Sequence, residues 1–283
     1  MISAFAGTGE VFQTLLNYGD LENQQNTPWY QHKNLGLIFN HAGYRTFWLD
    51  NQERASRSDV FALSSHIFTH AFYTSAPYHT YDSLLIDLFK EKVQPRLSNK
   101  NFILFHLIGN HLGYAERFPK AFAKFTPADI PYQGLHVQDE KDKQIVADYV
   151  NSLYYTDYIL SEIFKLFENK DAVIIYLSDH AQDIFESNQT YGHRCSSFGV
   201  EIPFVIYVSD LFKQKHPEKL KQLAQAVHKP FMSDDLIHTL LPLVGIHTKD
   251  NLESKDLLSS RFDTTRVRKV CAGVEYFKRS HSH

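Results

Sequence analysis

Two short polar motifs in the second half of the chain combine residue types that bind metal ions. An apolar run over residues 172–177 is followed by Asp179 and His180, and the next polar segment carries His193. Carboxylate oxygen and imidazole nitrogen suit Zn²⁺, and the carboxyl end of a strand in an α/β sheet is where ligands bind. The pattern predicts a metal site at Asp179 and His180. The alternative is a surface turn in which Asp179 caps the next helix and His180 has no role.

Two other apolar runs also end in polar residues. The run over residues 101–108 leads to His111, which places a second histidine at the end of a strand. The run over residues 45–49 leads to Asp50, Asn51 and Gln52, polar groups that are suited to holding a phosphate ester or its leaving group. The alternatives are a loop histidine that bonds to backbone and an ordinary polar turn.

Thr8 lies between two glycines at the start of a short helical pattern. A threonine in this position is most often a helix N-cap. The same position puts its hydroxyl at the positive end of the helix dipole, where an anion is stabilised. A neighbouring metal ion would lower the pKa of the hydroxyl enough for it to act as a nucleophile.

Strand and helix patterns alternate along the chain, which predicts an α/β fold with a largely parallel sheet. Strands are expected over residues 45–49, 101–108, 172–177 and 202–208. Helices are expected over residues 29–42, 81–93, 142–167, 217–227 and 234–244. Residues 118–134 contain several prolines and are expected to form a long loop or lid. No repeat or linker divides the chain, so we expect residues 1–283 to form a single domain.

Composition narrows the classes of partner and compartment. The net charge is −3 and no basic run occurs, which disfavours nucleic acid as a partner. No apolar stretch reaches the roughly 18–20 residues that span a bilayer, and the first residues lack the pattern of a signal peptide. Cys195 and Cys271 have neither zinc-finger nor CxxC spacing, and a disulfide between them in an oxidising compartment is left open.

Four motifs together resemble one family, the phosphoethanolamine transferases of the Gram-negative cell envelope, within the alkaline phosphatase and sulfatase superfamily. The segment Ala-Gly-Tyr-Arg-Thr-Phe-Trp-Leu-Asp-Asn-Gln is close to the family's Ala-Gly-Tyr-Lys-Thr-Phe-Trp-Ile-Ser-Asn-Gln. The other motifs are the threonine that opens a helix, Gly-Asn-His with the following Arg-Phe-Pro, and a Tyr-rich helix followed by Asp-His and Gly-His. They occur in family order at Thr8, 42–52, 109–119, 149–158, 178–180 and 192–193.

The resemblance implies an alkaline phosphatase/sulfatase-like α/β/α sandwich and a residue-by-residue assignment of the site. Thr8 would be the nucleophile and a zinc ligand, and Asp179 and His180 would be zinc ligands. His111 and His193 would bind the phosphoryl group, act as acid or base, or hold a second zinc. Asn51 and Gln52 would line the substrate pocket.

The resemblance also implies a reaction and a location. Phosphoethanolamine would pass from phosphatidylethanolamine to Thr8 and then to lipopolysaccharide or another envelope glycan. The full-length protein would work at a membrane surface, with an inner-membrane anchor and its catalytic domain in the periplasm.

The chain departs from the family pattern in three respects. The family's remaining zinc ligand is a glutamate on a strand upstream of the nucleophile, and no such segment precedes Thr8 here. Ala181-Gln182 stands where the family usually has Gly-Glu or Gly-Gln, and Val150 stands at a usual aspartate. We therefore expect weaker metal binding than in a complete member. The alternatives are a metal-dependent phosphodiesterase or sulfatase-type hydrolase, and a truncated inactive remnant.

Overall fold

A computed structural model describes residues 1–20, 27–52, 60–76, 80–271 and 273–276. Its helices are α1 Thr8–Leu15, α2 Leu35–His41, α3 Val60–Ser65, α4 Ser83–Leu88, α5 Glu140–Phe167, α6 Ser197–Val200, α7 Asp210–Lys215, α8 Pro217–Ala226 and α9 Leu236–Leu243. Its strands are β1 Arg45–Asp50, β2 His70–Tyr73, β3 Asn101–His106, β4 Val173–Leu177, β5 Asp183–Ile184, β6 Tyr191–Gly192, β7 Phe204–Val208, β8 Lys269–Val270 and β9 Val274–Glu275. None of the described helices is long and apolar enough to cross a membrane.

The described residues group into two compact units. The first unit comprises Met1–Leu35, Phe167–Asp183 and His193–His283, and the second comprises Gly36–Leu166 and Ile184–Gly192. The expectation that residues 1–283 form a single domain stays a prediction.

A three-stranded parallel sheet forms the centre of the second unit. Its strand order is β2-β1-β3, with β1 in the middle. The side chains of β1 after its first residue are all buried, as expected of a strand whose two faces are both covered. The α/β class and the parallel sheet predicted from the sequence are confirmed.

Helix α5 is the longest element of the second unit and nearly coincides with the expected helix over residues 142–167. Asn151 lies in it and is buried. Its side-chain oxygen accepts from the Lys124 and Phe125 amides, at 2.9 and 2.8 Å. Asn151 therefore anchors the segment over residues 118–134 to the helix. The segment is a long loop, as expected, and it contains short 3₁₀ turns at Lys120–Phe122 and Pro127–Asp129.

In the first unit, β4 and β7 pair in antiparallel fashion. Helix–strand alternation does not specify this direction, so the sequence did not predict it. Helix α1 packs its buried side chains on one apolar cluster of this unit, whose members include Val11, Leu15, Phe231 and Leu236. This packing fixes the position of Thr8, the first residue of α1.

Several expected elements are shorter than predicted, for local reasons. The helix expected over residues 29–42 is divided into a turn at Trp29–Gln31 and α2, because the backbone at His32 is extended. The strand expected over residues 101–108 ends at His106, because the amides of Ile108 and Gly109 donate to the Asp82 carboxylate instead of to a neighbouring strand.

Candidate functional site

Thr8 is the first residue of α1, and its hydroxyl is not used to cap the helix. The N-cap is Gly7, whose backbone is extended, and no side chain caps this end. The Thr8 Oγ1 lies 3.2 Å from Nε2 of His180. A Cβ added at Gly9, the next residue of the helix, would meet no atom within 4 Å. The hydroxyl therefore lies at a helix N-terminus and in contact with an imidazole.

Asp179 and His180 follow the carboxyl end of β4, and no helix begins directly after them. Asp179 Oδ2 lies 3.5 Å from His180 Nε2, and the His180 side chain is buried. His180 Nδ1 lies 3.0 Å from the Ala181 carbonyl oxygen, which can only accept a hydrogen bond. Nδ1 therefore carries the proton in the neutral ring, and the lone pair of Nε2 faces Thr8 and Asp179. In many metal sites, the ring nitrogen of a histidine that does not bind the metal donates a hydrogen bond to a carbonyl in this way, and the bond orients the ring.

The segment before Thr8 is held by backbone and hydroxyl contacts within the first unit. The Ser3 hydroxyl donates to the Asp179 carbonyl, and the Ser3 amide donates to Val200 O at 2.8 Å. The Ala4 amide donates to the Ser233 hydroxyl at 2.9 Å. These bonds fix Asp179, at the end of β4, and the start of α1 relative to each other. No sequence signal marked Ser3, which precedes any recognisable motif.

His193 lies beside His180, with ring centroids 4.3 Å apart and ring planes inclined at 62°. Two residues later, Cys195 forms a disulfide with Cys271, whose Cα lies 6.4 Å from its own. The Cys271 amide donates to the Ala4 carbonyl at 2.7 Å. The disulfide left open by the sequence is thus present, and it connects the His193 loop to the residue after β8, whose amide holds the segment before Thr8.

The donor set of this site fits a zinc ion in part. An alcohol oxygen, a carboxylate oxygen and an imidazole nitrogen converge at Thr8, Asp179 and His180, and all three are zinc-binding chemistry. Among the residues that the structure describes, no group of three or more His, Cys, Asp or Glu could hold a metal ion. Asp179 and His180 are the two donors of this kind at the site, and the Thr8 hydroxyl would be the third donor to a metal ion.

Asn51, Gln52 and His111 lie in the second unit, at the carboxyl ends of β1 and β3. Asn51 is buried, and Gln52 is half-buried, with its side-chain amide donating to Leu107 O at 2.8 Å. The His111 amide donates to Ile108 O at 3.3 Å. The structure thus brings Thr8, Asp179, His180 and His193 together in one unit, and places the other three candidates at one edge of the sheet in the other unit. Substrate contact by Asn51 and Gln52 stays a prediction.

Two buried carboxylates lie near that edge, and one of them, Asp50, belongs to a motif that the sequence singled out. Asp50 Oδ1 lies 3.1 Å from His106 Nδ1, and the Trp48 indole donates to its other oxygen at 2.7 Å. Burial alone would raise the pKa of Asp50, but the charge of His106 and the hydrogen bonds from His106, Trp48 and Gln52 hold it below its ordinary value. The sequence contained part of the signal for this pair, because Asp50 directly follows one predicted strand and His106 lies near the end of another. The structure pairs the two residues in register.

Asp82 is the second of these carboxylates. It is fully buried, and burial raises its pKa despite hydrogen bonds from Asn51, Ile108 and Gly109. The predicted helix over residues 81–93 contained Asp82, but nothing in its local sequence marked it as a partner of another loop.

The sequence profile of the Sulfatase family matches residues 1–246 of the chain. Phosphoethanolamine transferase EptC of Escherichia coli K12 is 25% identical over 274 residues, which are 92% of this chain and 46% of the relative. Phosphoethanolamine transferase CptA of Salmonella typhimurium is 28% identical over 272 residues, with the same coverage of 92% and 46%. The chain therefore spans about half the length of both relatives.

The crystal structure of the C-terminal periplasmic domain of EptC from Escherichia coli superimposes with a TM-score of 0.85. It is 22% identical, and the match covers 95% of this chain and 76% of that one. A second structure of the same domain, in complex with Zn, superimposes with a TM-score of 0.84 at the same identity and coverage. The predicted alkaline phosphatase/sulfatase-like fold is confirmed.

Proposed function

The chain belongs to the sulfatase family, and on that premise we propose that it is the catalytic part of a zinc-dependent phosphoethanolamine transferase. The observation that carries the proposal is the Thr8 hydroxyl, which lies at the N-terminal end of α1 and contacts His180 instead of capping the helix. The names of the relatives support the class of group transferred.

In this proposal Thr8, Asp179 and His180 hold the metal ion. Bound there, Zn²⁺ would lower the pKa of the Thr8 hydroxyl and neutralise charge on the phosphoryl oxygens. The zinc complex of the related domain supports the identity of the metal. The position of Thr8 at a helix N-terminus adds a favourable field for the same negative charge.

The chain's own residues then carry out a double displacement. The Thr8 hydroxyl gives up its proton to water, its oxygen forms a bond to the phosphorus of phosphatidylethanolamine, and the bond from phosphorus to the diacylglycerol oxygen breaks. His111 or His193 donates the proton that the leaving oxygen needs. A hydroxyl or phosphate of a lipopolysaccharide acceptor next attacks the phosphorus, and the bond from phosphorus to the Thr8 oxygen breaks. One of the same two histidines accepts the proton of the attacking group, and the Thr8 oxygen takes up a proton again.

We place this reaction in the periplasm, at the surface of the inner membrane, where the lipid donor is available. The related domain is periplasmic by its own name, and the chain spans only about half of its relatives. The Cys195–Cys271 disulfide also supports an oxidising compartment.

The test is to find the covalent intermediate. The protein is incubated with phosphatidylethanolamine, and peptide mapping by mass spectrometry locates the phosphoethanolamine adduct. We expect it on the Thr8 peptide, absent in Thr8→Ala and partly retained in Thr8→Ser.

Thr14→Ser is the matched control, because Thr14 lies on the same helix and its hydroxyl donates to Val11 O within that helix. It should keep the adduct on Thr8. An adduct on another residue, or full turnover by Thr8→Ala, would contradict the proposal. Release of phosphoethanolamine to water at the rate seen with glycolipid acceptor would indicate a phosphodiesterase instead.

A further inference from the structure

The geometry points to a clamp formed by Asn51, Gln52 and Asp82 that positions His111 for the proposed reaction. The three residues act on the backbone that leads from β3 to His111. This inference rests on the proposed role of His111 and concerns contacts within the second unit alone.

Asp82 provides the centre of the clamp. Its Oδ1 accepts from the Ile108 amide at 2.9 Å, and its Oδ2 accepts from the Gly109 amide at 2.9 Å. A buried carboxylate that accepts two adjacent amides fixes the direction of the backbone between them, because both bonds must be made at once. Gly109 has a φ of +54°, so the chain turns sharply at the clamped position.

The Asn51 side chain holds the Asp82 carboxylate, and the Gln52 side chain holds the residue before Ile108. The Asn51 side-chain nitrogen donates to Asp82 Oδ1 at 2.8 Å and to Thr80 O at 2.9 Å. Its side-chain oxygen accepts from the hydroxyls of Thr74 and Thr80, at 2.7 and 2.6 Å. The Gln52 amide donates to Leu107 O. Every polar atom of the Asn51 side chain is thus engaged inside the unit.

The other side of the same loop is fixed independently. The Asn110 side chain donates to the Ser152 hydroxyl at 2.8 Å, and that hydroxyl donates to Tyr149 O. His111 therefore follows a backbone that is held on consecutive residues by buried partners. A displacement of about 1 Å in a reacting group can reduce the rate by about a hundredfold, so such rigidity has a catalytic use.

The first test measures the clamp without reference to activity. In Asp82→Asn one carboxylate oxygen becomes an amide nitrogen, which cannot accept from a backbone amide. We expect hydrogen exchange at the Ile108 and Gly109 amides to become about tenfold faster or more. Thr74→Val removes only one hydroxyl that orients Asn51 and should give a smaller change at the same amides.

Asp87→Asn is the matched control, because Asp87 lies on the same helix as the residues after Asp82 and is exposed. It should leave both exchange rates unchanged. Equal rates at Gly109 in Asp82→Asn and Asp87→Asn would overturn the clamp. If Asp82→Asn does not fold, unchanged exchange in Thr74→Val would overturn it instead.

The second test asks whether the clamp acts through His111, and it measures turnover of phosphatidylethanolamine by the protein. Asp82→Asn should lower kcat about tenfold or more with KM little changed, while the zinc content stays that of the wild type. In a His111→Ala background, Asp82→Asn should lower kcat little further, because the group that it positions is gone.

If the kcat of the double variant is reduced by the product of the two single reductions, the positioning role is overturned. Wild-type turnover by His111→Ala would overturn the proposed role of His111 and the catalytic use of the clamp, whereas unchanged amide exchange would overturn the clamp itself. The two failures are therefore distinguishable.

Discussion

Removal of the Cys195–Cys271 disulfide should destabilise the fold around Thr8. The perturbation is the double variant Cys195→Ser/Cys271→Ser. Cys195 is exposed and Cys271 is half-buried, so the serine hydroxyls can reach water and add little desolvation cost of their own. The measured effect should therefore come from loss of the covalent link.

The magnitude follows from the length of chain that the disulfide closes. The two cysteines are 76 residues apart in sequence. In the chain-entropy model, opening a loop of this length lowers the free energy of unfolding by about 4.5 kcal/mol. With a typical unfolding entropy per residue, and the whole chain unfolding together, this corresponds to a decrease in Tm of about 8 °C. Natural disulfides usually contribute about 2–4 kcal/mol, so the calculated value is an upper bound.

The assay is thermal and urea unfolding of the oxidised wild type, the reduced wild type and the double variant. The reduced wild type and the double variant should have the same lowered Tm, and reductant should not affect the double variant. Equal stability of all three samples would refute the reasoning, because it would mean that the unfolded chain gains no freedom when the link is opened.

Three further predictions concern the site and the sheet. Asp179→Ala and His180→Ala should each lose stoichiometric zinc by atomic emission, since each removes one of the three donors that converge at the site. Asp50→Asn should be less stable than the wild type near neutral pH. This difference should shrink as pH falls below about 4, because a carboxylate with a lowered folded-state pKa contributes stability only where it is ionised. Gly199→Ala should destabilise by about 3 kcal/mol or more, because its Cβ would lie 1.9 Å from a backbone oxygen.

Each of these predictions has a control. His228→Ala, at an exposed histidine, should keep its zinc, and full zinc in both site variants would contradict the metal assignment. Unfolding in urea at several pH values tests Asp50→Asn, and a constant difference from wild type down to acidic pH would contradict the pKa argument. Gly9→Ala, where an added Cβ meets nothing within 4 Å, should unfold near the wild-type midpoint, and a Gly199→Ala variant of equal stability would contradict the steric argument.

The sequence predicted the elements whose patterns are carried by their own side chains. The strand at residues 45–49 and the helix at residues 142–167 were found within two residues, because a buried strand needs a continuous apolar run and a helix needs its 3.6-residue period. Strand β2 was missed, since His70–Tyr73 is short and gains its stability from pairing with β1. The antiparallel pairing of β4 with β7 was also undetermined, because strand direction depends on the path of the connecting chain.

The sequence by itself determined which residues could carry the proposed phosphoryl transfer: a threonine at a helix start, an Asp-His pair at a strand end and further histidines in loops. Only the tertiary structure decided that Thr8 contacts His180 instead of capping its helix, that Cys195 pairs with Cys271, and that Asp82 holds the loop before His111. Residue type and local period are properties of neighbouring positions. A hydrogen bond between residues far apart in sequence depends on how the whole chain packs, and no local pattern encodes that packing.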